Sequence, residues 1–191
     1  MEVKVLDFFC NINYDNKKIR VMMTNNHVID EKYIKQNNKI KITLNDDKEI
    51  KLINLDDDRL LYSNEEYDIT IIEIFPEKDE INNFMEIDEI MFKEESNILY
   101  NNKSIYIIQY PNCDKASVSY GIMSNIFDYD INHYCCTESG SSVSPIINLL
   151  NNKIIGIHKE ASMKFKKNRG TYLKYPINEF INQIKNNRND F

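Results

Sequence analysis

The stretch Thr137-Glu138-Ser139-Gly140-Ser141-Ser142-Val143-Ser144-Pro145 is where glycine, a run of serines and a proline crowd most tightly together. The chain has only 4 glycines, so placing one here marks a local demand for unusual backbone geometry. Small residues around a serine suit a tight loop whose backbone N–H groups converge on one spot, and such a nest stabilises an oxyanion when the hydroxyl attacks a carbonyl. Alone, the same letters read as a Gly/Ser turn between strands. A serine nucleophile also needs an imidazole base and a carboxylate to orient it, so the decision rests on what the rest of the chain supplies.

The first half supplies both partners. Thr24-Asn25-Asn26-His27-Val28-Ile29 follows the apolar run Arg20–Met23 and places His27 where a strand ends in a turn. Tyr67-Asp68-Ile69-Thr70-Ile71-Ile72-Glu73-Ile74 sets Asp68 at the mouth of an apolar strand, where a carboxylate is desolvated unless an imidazole N–H pairs with it. Taken singly, His27 reads as a structural or exposed turn residue and Asp68 as a strand cap. The order His, Asp, Ser is nevertheless one of the arrangements in which this triad occurs.

Between these motifs, short β-rich runs recur with turn signals: Val3–Ile12, Lys17–Thr24, Lys39–Leu44, Glu49–Leu55, Leu60–Ser63, Asp68–Ile74, Ser104–Tyr110, Ser117–Ile126, Pro145–Leu149, Lys153–His158 and Thr171–Tyr175. Tyr14-Asp15-Asn16 reads as a turn, Pro111-Asn112 as a polar corner, and Asn45-Asp46-Asp47 and Asn151-Asn152 as hairpin turns. Many short strands at this spacing indicate a sandwich or barrel rather than a βαβ fold. The tail departs from this. Pro176 suits a helix start, and Ile177, Phe180, Ile181 and Ile184 keep the helical repeat, which predicts an amphipathic C-terminal helix. A short helical patch is expected at Glu80–Phe84, and the aperiodic stretch Phe92–Lys103 reads as a connection between two β halves.

Composition narrows the function. With 191 residues and 42% hydrophobic residues, the chain can bury a sizeable core. A net charge of -6 disfavours a nucleic-acid binder working through a basic face. No apolar run approaches the roughly 18 residues of a membrane-spanning helix. The 4 cysteines show no framework spacing, which together with the N-terminal composition leads to the expectation of a cytoplasmic setting. His133, Cys113, Cys135 and Cys136 offer zinc-ligand residue types, but H-x-C-C is not a standard chelating pair and no metal is expected.

T-N-N-H-V-I, Y-D-I-T-I-I-E-I and G-S-S-V-S-P, in that order and in a β-rich chain, resemble the chymotrypsin-fold (trypsin-like) serine proteases. The resemblance spans roughly residues 5–180. It implies an all-β fold of two six-stranded antiparallel β-barrels with a C-terminal α-helix: residues 1–98 carrying His27 and Asp68, residues 99–191 carrying Ser142 and the helix. It implies a cofactor-free endopeptidase acting on peptide or protein substrates, with neither nucleic acid nor membrane as a partner. His27 would be general base, Asp68 its orienting carboxylate and Ser142 the nucleophile, with backbone N–H groups of Gly140 and Ser142 as oxyanion hole. Thr137 and the Gly156-Ile157-His158 strand resemble the glutamyl endopeptidases and 3C-type proteases, where a similar threonine and histidine line the pocket for a P1 glutamate or glutamine. Lys159 and Ala161 would lie on the substrate-binding edge, and the nearby Glu160 would repel an acidic substrate, which points to glutamine or to no clear preference. Ser141 stands where zymogen relatives carry an aspartate, so activity without N-terminal processing is implied.

The pattern breaks at Val143. The family usually has glycine immediately after the nucleophile, and a valine forced into a glycine-only conformation costs roughly 1–3 kcal/mol. Asp7 is a smaller departure, since relatives carry glycine before the Phe8-Phe9 pair. The rival reading is a protease fold that binds a peptide or protein without cleaving it.

Overall fold

The computed structural model describes residues 7–44, 49–55, 58–113, 115–162 and 167–189. Its contacts divide the chain into two compact units, Met1–Met85 with Tyr175–Phe191, and Glu86–Lys174. The division that the sequence leads one to expect lies at 98/99, with the C-terminal helix in the second half.

In the first unit, β1 (Phe8–Tyr14) and β2 (Lys17–Thr24) form a hairpin. Its turn residues Asp15 and Asn16 both take positive φ, at 49° and 58°, the left-handed pair that a tight two-residue hairpin needs. β5 (Leu61–Asn64) pairs with β6 (Ile69–Glu73), and β6 with β2. With β7 (Met85–Glu86) these make a five-stranded sheet in the order β5-β6-β2-β1-β7. β3 (Lys39–Leu44) and β4 (Glu49–Asn54) form a separate two-stranded sheet. Period-two alternation explains its place: Ile40, Ile42 and Ile53 turn inward onto Met22, Ile29, Ile72, Ile74 and Ile81, while Ile50 and Leu52 remain exposed. The expected first barrel is therefore corrected. Among the described residues the ribbon covers the sheet through side chains and is not joined to it by a ladder. The turn expected at Asn45-Asp46-Asp47 lies outside the described residues.

Helix α1 (Glu31–Gln36), which the sequence reading did not anticipate, starts at Asp30, whose carboxylate accepts the Tyr33 N–H at 2.6 Å. The helical patch expected at Glu80–Phe84 is corrected to α2 (Pro76–Asp79), because Pro76 suits the first turn and Glu80 takes φ 55°, which ends it. Asp79 closes this corner: its carboxylate holds Arg59 at 2.8 and 3.0 Å and accepts the Phe75 N–H at 2.7 Å, and both members of the ion pair are buried. The C-terminal helix, from Lys174 to Asn189, buries Ile177, Phe180 and Ile184. Within the unit, Phe180 meets the Tyr62 ring edge-on at 6.3 Å, and Glu179 accepts the hydroxyls of Tyr62 and Tyr67, both at 2.7 Å.

The second unit holds a closed antiparallel barrel in the order β10-β13-β12-β11-β8-β9. Its strands are β8 (Ser104–Gln109), β9 (Ser117–Phe127), β10 (Asp130–His133), β11 (Pro145–Asn148), β12 (Lys153–Ser162) and β13 (Lys167–Tyr172). β10 was missed in the sequence because it is only four residues long and carries a single aliphatic, Ile131. Inside the barrel, Gly170 is required: a Cβ there would sit 2.6 Å from the Ile157 carbonyl oxygen. Phe92–Lys103, read as an aperiodic connection, contains a short helix, α3 (Ser96–Leu99), and the buried Tyr100, which stacks edge-on to Tyr172 at 6.0 Å. No helix among the described residues is long and apolar enough to cross a membrane.

Candidate active site

His27 and Asp68 meet because of strand register. In the β2–β6 pair Thr24 lies opposite Thr70, so the end of β2 and the beginning of β6 fall at one edge of the sheet. His27 follows the first by three residues and Asp68 precedes the second by two. The two asparagines of T-N-N-H hold this edge together. Asn25 donates through Nδ2 to the Asp68 carbonyl at 3.0 Å, and Asn26 donates to the Ser63 hydroxyl at 2.8 Å. Ser63 is in turn bonded to the Thr70 hydroxyl, which donates to the Ile29 carbonyl at 2.6 Å. Asp68 takes φ 50°, a left-handed conformation that aspartate tolerates better than most residues.

The carboxylate of Asp68 grips His27 twice. It accepts the His27 backbone N–H at 2.9 Å, and His27 Nδ1 lies 2.8 Å from Oδ2 and 3.0 Å from Oδ1. A carboxylate is acceptor-only, so this contact places the imidazole proton on Nδ1 and leaves Nε2 as a lone-pair acceptor. The His27 side chain is half exposed while Asp68 is mostly covered.

In the second unit, Ser139-Gly140 and Ser142-Val143 each form a turn. Ser141 braces the loop: its hydroxyl accepts the Glu138 N–H at 3.0 Å, its own N–H donates to the Glu138 carbonyl at 3.1 Å, and its carbonyl accepts from Ser144. Strand β12 anchors the far side, with Val143 N–H donating to the His158 carbonyl at 3.0 Å and His158 N–H to the Ser144 carbonyl at 2.8 Å. Gly140 has φ 85°. Among the described residues, the backbone N–H groups of Gly140 and Ser142 have no acceptor.

Val143 has φ 71° and is 2% exposed. The position does ask for a left-handed backbone, and a β-branched, buried side chain occupies it. The Ser142 hydroxyl donates to the Lys159 carbonyl at 2.9 Å.

His158 is buried against His133, with His133 Nε2 3.1 Å from His158 Nδ1. The protons on this pair follow from one fixed donor. The Cys135 N–H points to His133 Nδ1 at 3.3 Å, so that nitrogen is the acceptor and Nε2 carries the hydrogen. Nε2–H therefore donates to His158 Nδ1, and the His158 proton sits on Nε2. Burial pulls His133 down to about 3, helped by the neighbouring imidazole, and pulls His158 down to about 4 against an opposing backbone hydrogen bond at Arg169. Both rings are neutral near pH 7. The Thr137 hydroxyl oxygen is buried without a hydrogen-bond partner among the described residues, whereas Ala161 is exposed.

Sequence reasoning considered His133 only as a metal ligand, yet the I-x-H alternation in Ile131-Asn132-His133 sends both side chains inward, a signal that could have found the pair. It also read Glu160 as a free repulsive charge. Glu160 is bonded to Arg169 at 2.8 Å.

The first unit thus presents a carboxylate-fixed histidine, and the second a serine loop with two N–H groups that have no acceptor among the described residues. The family described as trypsin-like peptidase domain matches residues 10–157, and the chain belongs to that family. Among solved structures, a Glu endopeptidase in complex with MPD is similar at TM-score 0.59 and 17% identity, covering 93% of this chain and 89% of its own. The HtrA-type protease AlgW with a decapeptide is similar at TM-score 0.60 and 14% identity, over 96% of this chain and 65% of its own. The fold is thus chymotrypsin-like. No curated protein matches the chain.

Proposed function

We propose that the protein is a serine endopeptidase in which His27, Asp68 and Ser142 form the catalytic triad. The observation that carries this reading is the two-point grip of Asp68 on His27, which fixes the Nδ1–H tautomer and leaves Nε2 as a base. In the reaction His27 Nε2 takes the Ser142 proton as Oγ adds to the scissile carbonyl. The N–H groups of Gly140 and Ser142 hold the oxygen that becomes negative. His27 then gives its proton to the leaving amine, leaving an acyl-enzyme, and water repeats the two steps to release the acid. No cofactor takes part.

For the P1 side chain, Thr137 and His158 would be the polar contacts, with Lys159 and Ala161 along the main chain of the substrate. The unpartnered Thr137 hydroxyl supports the first. Because both imidazoles are neutral, neither supplies a cation to balance a buried carboxylate, which favours glutamine over glutamate at P1. The test is labelling by a fluorophosphonate probe, followed by a peptide library varied at P1. Wild type is expected to label and Ser142→Ala to remain unlabelled, and labelling of that variant refutes the nucleophile assignment. A library preferring glutamate refutes the neutral pocket.

A second reading is a protease fold that binds peptides without cleaving them. It is favoured by Val143 at φ 71° and by the Ser142 hydroxyl resting on Lys159. Turnover absent from both wild type and Val143→Gly supports it.

A further inference from the structure

Strand β12 carries a bulge at Lys159. Its neighbours keep register with β13, His158 opposite Gly170 and Glu160 opposite Arg169, but Lys159 has no partner of its own. A bulge residue stands outside the ladder and needs other contacts to fix it. Lys159 has them through its side chain. Its ammonium lies 2.8 Å from Asp130 Oδ1 and 5.4 Å from the centre of the Tyr129 ring. The other oxygen of Asp130 holds Arg169 at 2.6 Å, on the strand facing the bulge, and Arg169 also holds Glu160. The Asp130 carboxylate therefore ties the bulge to β13 from a third strand, β10. The Lys159 side chain is only 10% exposed, so this pair is shielded from water more than a surface ion pair is.

The main chain of the same bulge meets the loop read as the nucleophile loop, since the Lys159 carbonyl accepts the Ser142 hydroxyl. A hydroxyl has one proton, and while it lies on that carbonyl it is not directed at a base.

We infer that Asp130 is a positioning residue for the nucleophile: by clamping the Lys159 bulge it holds the carbonyl on which Ser142 rests, and it withholds the hydroxyl until a main-chain N–H of a bound peptide takes that carbonyl. This rests on the serine peptidase reading above. Two kinds of substrate then respond in opposite directions when the clamp is removed. A small fluorophosphonate needs no peptide edge and gains from a released hydroxyl. A peptide needs the edge at Lys159–Ala161 and loses its fixed partner.

The test compares wild type, Asp130→Ala, Lys159→Met and Ser142→Ala by rate of fluorophosphonate labelling and by kcat and KM on a peptide substrate. Lys159→Met removes the ammonium but keeps the stem and the carbonyl, so it tests the same clamp if Asp130→Ala fails to fold. Loss of one resting hydrogen bond predicts labelling about fivefold faster in either clamp variant. Peptide kcat/KM is expected to fall about as much, through KM. A purely structural role would lower both rates, and both falling together, or neither changing, overturns the inference. Wild type that fails to label overturns the serine reading and the inference with it, whereas labelling that depends on Ser142 but ignores the clamp overturns the inference alone.

Discussion

Replacing Val143 by glycine and by alanine separates backbone strain from packing. The side chain is 2% exposed, and burying a valine contributes about 1.5–3 kcal/mol, most of which both variants forfeit. The backbone works the other way. A left-handed conformation costs an L-residue about 1–2 kcal/mol, towards 3 for a β-branched side chain, and at φ 71° only glycine escapes that cost. Alanine keeps most of the strain and loses most of the packing, so Val143→Ala is expected to destabilise by about 1–2 kcal/mol. Val143→Gly relieves the strain, and after its extra backbone entropy of about 0.5–1 kcal/mol it should lie within about 1 kcal/mol of wild type. Glycine is thus predicted to be the more stable of the two by about 1 kcal/mol, the reverse of their order at an ordinary strand position. Denaturant unfolding of the three proteins, at equal m, measures this directly. A glycine variant less stable than the alanine variant refutes the strain.

Two further predictions concern stability. His133 and His158 are held neutral, at about 3 and about 4 against an ordinary 6.5, so their contribution is complete above pH 6.5 and is lost as pH falls towards those values. Each imidazole adds a slope of about 1.4 kcal/mol per pH unit. Urea unfolding between pH 6 and pH 4 should therefore be less pH-dependent in His158→Gln by up to about that slope, and an unchanged slope contradicts the neutral pair. The Arg59–Asp79 pair is buried on both sides, so Asp79→Ala, which removes the carboxylate from a buried guanidinium, should cost about 3–5 kcal/mol. The double change Arg59→Met with Asp79→Leu should cost less than that single change, and additive losses would show that the two residues do not act as a pair.

What the sequence disclosed follows from the range of the signals. Lys17–Thr24 and Lys39–Leu44 were bounded to the residue, because each is an apolar run with turn chemistry at its end. His27 and Asp68 were readable as partners from residue type and chain order, but the register that joins them acts across 41 residues, beyond any local signal. Closure of a sheet leaves no local mark at all. β3 and β4 look like any other strands, and whether their edges bond to the sheet or only cover it is settled by side chains on both. β10 was hidden by its shortness, and with it went Asp130 and His133, two residues whose roles depend on neighbours in β12 and β13. At Val143 the sequence posed the right question, and the backbone angle answered it.

The placement of the last helix has a consequence for how the chain is made. Glu86–Lys174 is one continuous piece, so its barrel has every strand available once that piece has left the ribosome. The other unit is split, with its sheet formed early in the chain and Phe180 and Glu179 arriving only with residues 175–189. Vectorial synthesis normally favours completion of the N-terminal part first. Here the sheet that holds His27 and Asp68 can gain its cover over Tyr62 only after the segment that forms the barrel has been synthesised.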